Sequence, residues 1–179
     1  QIYMDYSDAA GTLLMDITQK KWSTELCELL NIPNFLCPLL VASSDFVGTV
    51  TKEFAEATGL KKTTKVFAGG ADNACGAIGA GILTEGKTLC SIGTSGVVLS
   101  YEPSSNKDFQ GRVHYFNHAE TDAYYTMGVT LAAGYSLSCF KDVFAKSMDF
   151  DEILSDIEKI PAGSEGLLFT PYIVGERTP

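Results

Sequence analysis

Residues 65–81 constrain the fold more tightly than any other stretch. Lys65-Val66-Phe67-Ala68 has the character of a buried strand, and it runs straight into Gly69-Gly70 and then Ala71-Asp72-Asn73. After Asp72 the residues become small: Ala74, Gly76, Ala77, Gly79, Ala80 and Gly81. A helix is expected there despite its glycines, because small residues let a helix press close to a neighbouring backbone. A strand feeding a helix in this way belongs to the α/β class, and in open α/β sheets ligands bind beyond the carboxyl ends of the strands. Asp72 stands at such a strand end and at a helix start. Its carboxylate can accept a hydroxyl proton during phosphoryl transfer. It can equally be a plain N-cap, since aspartate is a favoured capping residue. Local features leave these two readings level.

The remaining elements alternate in the same α/β manner. Residues 12–17 are apolar and strand-like. Ser23 can cap a short helix running to Leu30, with Trp22 and Cys27 spaced as a hydrophobic staple and Asn31 and Pro33 ending it. A strand is expected over 46–50, followed by a helix capped by Thr51 and stopped by Gly59. Residues 87–92 and 97–101 read as two strands joined by Gly93-Thr94-Ser95-Gly96. Strands are expected over 113–116 and 124–127, with a polar loop over 103–111. Ala133, Leu137, Phe140 and Phe144 share one helical face, which predicts a helix over 130–146. A second helix should turn Ile153, Leu154 and Ile157 inward and stop before Pro161. Residues 167–169 look like a buried strand.

The Gly93–Gly96 turn is the second candidate for chemistry. A tight glycine-bounded hairpin aims several N–H groups at one point, and the hydroxyls of Thr94 and Ser95 add donors, which suits a phosphate. An ordinary hairpin turn remains the plainer reading. No G-x-x-x-x-G-K-[ST] pattern occurs, which excludes a P-loop nucleotidase. Gly76 to Gly81 spell G-x-x-G-x-G inside a helical stretch, the wrong order and place for a dinucleotide loop. His114 and His118 lie in an aromatic, strand-like segment without further ligands nearby in sequence, so structural or surface roles are expected. The acidic run from Asp149 to Glu158 reads as a solvated helix face.

Composition narrows the classes further. The formal charge of −9 over 179 residues leaves no basic stripe for nucleic acid. No apolar run is long enough to span a bilayer. The five cysteines form no C-x-x-C and are odd in number, against a disulfide framework or a zinc site. They read as small buried residues of a reducing compartment, so a cytoplasmic location is expected.

Together these segments resemble the FGGY family of carbohydrate kinases, and within it the xylulose kinases most closely. The matching pieces keep the family's order. They are Asp5-Tyr6-Ser7-Asp8-Ala9-Ala10-Gly11-Thr12-Leu13-Leu14, the loop Gly69–Asn73, the hairpin Ser91–Gly96, residues 127–134, and Pro171–Pro179. The resemblance implies an actin-like (ribonuclease H-like) fold of two α/β domains with ATP in the cleft between them. It implies Asp72 as the base for a sugar hydroxyl, most closely that on C5 of D-xylulose, and Asn73 as a sugar contact. Gly93, Thr94 and Ser95 would face the ATP phosphates, and Gly134 would lie near the nucleotide. It also implies Mg²⁺, whose ligands, with a Met-His sugar pair, are expected before Gln1. The adenosine motif is expected after Pro179. On that expectation the chain is the middle of a longer protein and inactive alone. Residues 1–88 would close the sugar-binding domain, and residues 89–179 would open the nucleotide-binding domain. The expected partners are a small-molecule sugar and ATP, with no nucleic acid and no membrane; a homodimer is left open. Another sugar or polyol (gluconate, glycerol, rhamnulose) and a non-catalytic binding module are the alternatives.

Overall fold

The structure is a computed structural model that describes residues 2–178. It divides into two compact units, one of residues 2–89 and 99–126, the other of residues 90–98 and 127–178.

The first unit opens with β1 (Tyr3–Asp5), α1 (Tyr6–Gly11), β2 (Met15–Asp16), β3 (Lys21–Trp22) and α2 (Thr24–Leu29). Next come β4 (Leu39–Val41), β5 (Phe46–Thr49), α3 (Lys52–Thr58), β6 (Lys65–Phe67) and α4 (Asp72–Gly79). Strands β1 and β4 pair in parallel, with Tyr3 opposite Leu39 and Asp5 opposite Val41. Two antiparallel ribbons accompany them, β2–β3 between β1 and β4 in sequence and β5–β6 after β4. A core forms where α1 buries Ala9 and Ala10 against Met15, with Met4, Tyr6, Trp22, Leu40 and Phe116 packed around them. Alanines on the inner face of α1 let the helix sit close to its neighbours, and the larger side chains around it exclude water.

Four further strands form one sheet: β7 (Thr88–Ile92), β8 (Gly96–Glu102), β9 (His114–Asn117) and β10 (Tyr124–Thr130). Their order is β7-β8-β10-β9, and the division between the units falls inside β7, β8 and β10. The second unit continues through α5 (Gly134–Phe144) and α6 (Phe150–Leu154).

Helix ends follow the sequence signals. Ser23 caps α2 by accepting the Leu26 N–H, and Asn31 then turns the chain at φ 54°. Thr51 caps α3 by accepting the Phe54 N–H, and Gly59 ends it in the left-handed region at φ 75°. Asp149 and Glu152 form a reciprocal capping box at the head of α6.

Several expectations need correction. Only Met15–Asp16 of residues 12–17 is strand, because Thr12 closes α1 and Leu13 takes φ 62°. Strand β6 is exposed at all three residues. It pairs only with β5 among the described residues, and a two-stranded ribbon cannot cover both faces of its strands. Leu167, Leu168 and Phe169 form no strand and are exposed, since the turn through Ser164 and Glu165, both at positive φ, leads into unpaired chain. Ile153 and Leu154 are half-buried, but Ile157 is exposed beyond the end of α6. Cys27 is buried, whereas Cys75 and Cys90 are exposed, so not every cysteine serves as packing. Gly76 and Gly79 of α4 have open space where a side chain would stand. The close face of that helix is made by Ala74 and Ala77, both fully buried.

The cap on α3 gives a local test. Thr51→Ala should cost about 1 kcal/mol and speed amide hydrogen exchange across Lys52–Thr58 about fivefold in the full-length protein. Exchange elsewhere should be unchanged.

Candidate active site

In the first unit the site is built around the turn between β6 and α4. Ala71 occupies the N-cap position of α4 and offers no side-chain bond. Asp72 is therefore the first helical residue rather than the cap. Its Oδ1 accepts the N–H of its neighbour Asn73 at 2.7 Å, not those deeper in the first turn that a capping side chain would take. The carboxylate is exposed, and it stands at the positive end of an eight-residue helix, where negative charge is favoured. Asn73 is half-buried beside it. An exposed carboxylate with a free oxygen on a fixed helix start can accept a proton from a hydroxyl brought to it.

The turn itself is held from below. Gly69 takes φ 79°, which favours glycine, and its N–H donates to the Ser43 carbonyl at 2.9 Å. The Ala71 N–H donates to the Ser7 hydroxyl at 2.9 Å. Between them, a side chain on Gly70 would meet Ser7 Oγ and the Ala119 methyl, each at 3.1 Å. That close approach is where glycine is needed. Tyr125 is buried in the same unit. Burial raises its phenol pKa far above the ordinary value, and the negative charges of Asp72, Asp5 and Asp8 add to the rise. His118 is also buried, and burial holds its imidazole below the ordinary range against the opposing pull of Glu120. Its Nδ1 accepts the Glu120 N–H at 2.9 Å, while His114 stacks on Phe116. The two histidines thus serve separate local contacts.

In the second unit the turn between β7 and β8 is closed by the Gly93 N–H donating to the Ser95 carbonyl at 2.8 Å. Gly93, Thr94 and Ser95 are all exposed. The carbonyls of this turn point to the start of α5. Gly93 O accepts from the Gly134 N–H at 2.9 Å, and Thr94 O accepts from Ala133 and Tyr135 at 3.0 and 3.1 Å. With its carbonyls fixed that way, the amides of Thr94 and Ser95 have no hydrogen-bond partner among the described residues. Gly134 is thereby brought onto Gly93, and a side chain there would lie 2.6 Å from the Gly93 carbonyl oxygen. Gly96 is equally confined, 2.9 Å from Thr130 Cγ2.

Residues 176–178 close over the end of β10. Glu176 accepts from the Thr130 hydroxyl at 2.8 Å and from the Leu131 N–H at 3.0 Å, and Thr178 exchanges hydrogen bonds with both backbone groups of Val129. Desolvation pushes the Glu176 carboxyl up, and the bonds from Arg177, Thr130 and Leu131 together outweigh it and leave it below the ordinary range. Beside this anchor lies an apolar groove of about 420 Å³ lined by Ile92, Val97, Val98, Val129, Pro171 and Tyr172. The exposed turn Gly93–Ser95 does not line it.

Residues 1–79 match the N-terminal domain of the FGGY family of carbohydrate kinases. A xylulose kinase of Bacillus subtilis (strain 168) is 61% identical over 178 residues, 99% of this chain and 36% of that protein. The chain belongs to the FGGY family of carbohydrate kinases. A xylulose kinase of Lactococcus lactis is 53% identical, again over 99% of this chain and 35% of the relative. The crystal structure of a xylulose kinase from Rhodospirillum rubrum superposes with a TM-score of 0.87 at 26% identity, covering 99% of this chain and 36% of that one. The chain therefore spans little more than a third of the length of the relatives it matches, and its fold is the actin-like one of FGGY kinases.

Asp5, Ser7 and Ser43 escaped the sequence reading as site residues. Asp5-x-Ser7 carried a signal, since Asp5 is the N-cap of α1. Ser43 carried none, because its role depends on β1 and β4 being neighbours.

The glycines predict opposite responses. Gly134→Ala forces the Gly93 carbonyl to move and should destabilise the full-length protein by about 1–3 kcal/mol. Gly76→Ala meets open space inside a helix and should be neutral or stabilising by up to about 1 kcal/mol. Thermal unfolding of the two variants checks both.

Proposed function

We propose that the full-length protein transfers the γ-phosphoryl group of ATP to a sugar, converting D-xylulose to D-xylulose 5-phosphate. The observation that carries this reading is the placement of Asp72. Its carboxylate is exposed at the head of α4, does not cap the helix, and follows a clamped glycine turn. The names of the similar kinases support the substrate class. In this reading Asp72 removes the proton from the attacking C5 hydroxyl, and Asn73 contacts the sugar. The free amides and hydroxyls of Thr94 and Ser95, with Gly93, receive the ATP phosphates, and Gly134 lies at the nucleotide. Residues 1–88 would complete the sugar domain and residues 89–179 begin the nucleotide domain, in a cytoplasmic enzyme.

Phosphoryl transfer needs little covalent help from a protein, so positioning and charge carry the rate. Mg²⁺ would be held largely by the ATP phosphates, water and one or two carboxylates, and its protein ligands are expected before Gln1. Among the described residues no cluster of three or more His, Cys, Asp or Glu side chains is placed to hold a metal ion, and no step is routed through Mg²⁺ here. No helix among the described residues is long and apolar enough to cross a membrane.

General-base catalysis is worth about 10²–10⁴-fold. Asp72→Asn in the full-length protein should therefore lower kcat at least about 100-fold while ATP still binds. Near-normal turnover would refute the base, and binding of both ligands without any turnover in the parent would favour a non-catalytic module. Thr94→Ala should raise the KM for ATP and leave that for xylulose unchanged.

A further inference from the structure

The geometry points to Asp5, Ser7 and Ser43 as a positioning clamp that fixes the Gly69–Ala71 turn and so aims Asp72, an assignment that rests on Asp72 being the base. The clamp starts from one oxygen. Oδ2 of Asp5 accepts from the Ser7 hydroxyl at 2.6 Å, from the Ser43 hydroxyl at 2.7 Å and from the Ser7 N–H at 2.9 Å. Oδ1 accepts the Asp8 N–H at 3.2 Å. Asp5 and Ser7 are buried, 6% and 2% exposed, so neither group has water as a substitute partner.

Each serine then holds one side of the turn. Ser7 accepts the Ala71 N–H through its hydroxyl, and Ser43 accepts the Gly69 N–H through its carbonyl. A hydroxyl that donates to a carboxylate is the better acceptor for it, because bonds in a chain polarise one another. Ala71 is the residue immediately before Asp72 and lends α4 no side-chain cap. Ser7 therefore fixes the amide from which the base-bearing helix starts. The fold ties three distant segments together through one carboxylate: Asp5 at the end of β1, Ser43 just after β4, and, through Ser7, the turn after β6.

Asp5 and the two serines touch no reacting atom in this account, so they are positioning residues. A misplacement of about 1 Å can cost about 100-fold in rate. Ser7→Ala in the full-length protein should lower kcat by about 10–100-fold, with the KM for ATP unchanged. Ser43→Ala keeps the Gly69 bond and should cost about tenfold or less. The decisive comparison repeats both substitutions in Asp72→Asn protein. There each should change the residual turnover by less than about twofold, because an absent base cannot be misaimed. Equal losses in both backgrounds would show that the serines act only on stability, and no loss in the Asp72 protein would equally overturn the clamp. Should Ser7→Ala fail to fold, Ser43→Ala carries the same comparison. If Asp72→Asn alone keeps near-normal turnover, the base reading falls and the clamp falls with it, an outcome distinct from failure of the clamp alone.

Discussion

A single buried carboxylate organises the first unit. Asp5 lies at the end of β1, is nearly inaccessible to water, and is satisfied by four hydrogen bonds. A charge in such a place is tolerable only when its lone pairs are taken. Those bonds cap α1, fix Ser43 after the parallel partner strand β4, and reach the turn before α4 through Ser7. Removing one partner would leave polar groups buried and unpaired, which costs more than the bond itself contributes. The same atoms thus hold the α1 core in place and define where the exposed Asp72 begins its helix.

The second unit solves a different problem by steric means. The packing around its exposed turn requires two glycines, one at the start of α5 and one at the end of the turn. Gly134 allows the start of α5 to approach the Gly93 carbonyl, and Gly96 sits against Thr130. With the Gly93 and Thr94 carbonyls occupied by the amides of residues 133–135, the Thr94 and Ser95 amides have no hydrogen-bond partner among the described residues. That is the polarity an anion needs, achieved without lysine in a chain of formal charge −9.

Local signals were legible in the sequence, and long-range ones were not. Ser23, Thr51 and Gly59 act at the helix ends their residue types announce, because capping is settled within four residues. The hairpin at residues 93–96 and the helix after Asp72 follow from the same local logic. Whether Asp72 caps α4 needed the structure, since it turns on which amide the carboxylate accepts. The exposed strand β6 and the exposed chain at residues 167–169 depart from their sequence signal because apolar runs announce burial without naming what covers them. Ser43 was invisible, since only the pairing of β1 with β4 gives its hydroxyl a partner. The family resemblance, carried by five ordered segments, implies roles that no single motif could suggest.

As the base, Asp72 must stand within reach of the hydroxyl that is phosphorylated. A crystal structure of the full-length protein with D-xylulose and a non-hydrolysable ATP analogue would show whether it does. A carboxylate oxygen of Asp72 should lie within about 2.6–3.2 Å of the C5 hydroxyl, with Gly69–Ala71 held by Ser7 and Ser43 as here. A bound sugar whose C5 hydroxyl is satisfied by another group, with Asp72 turned to solvent, would contradict it.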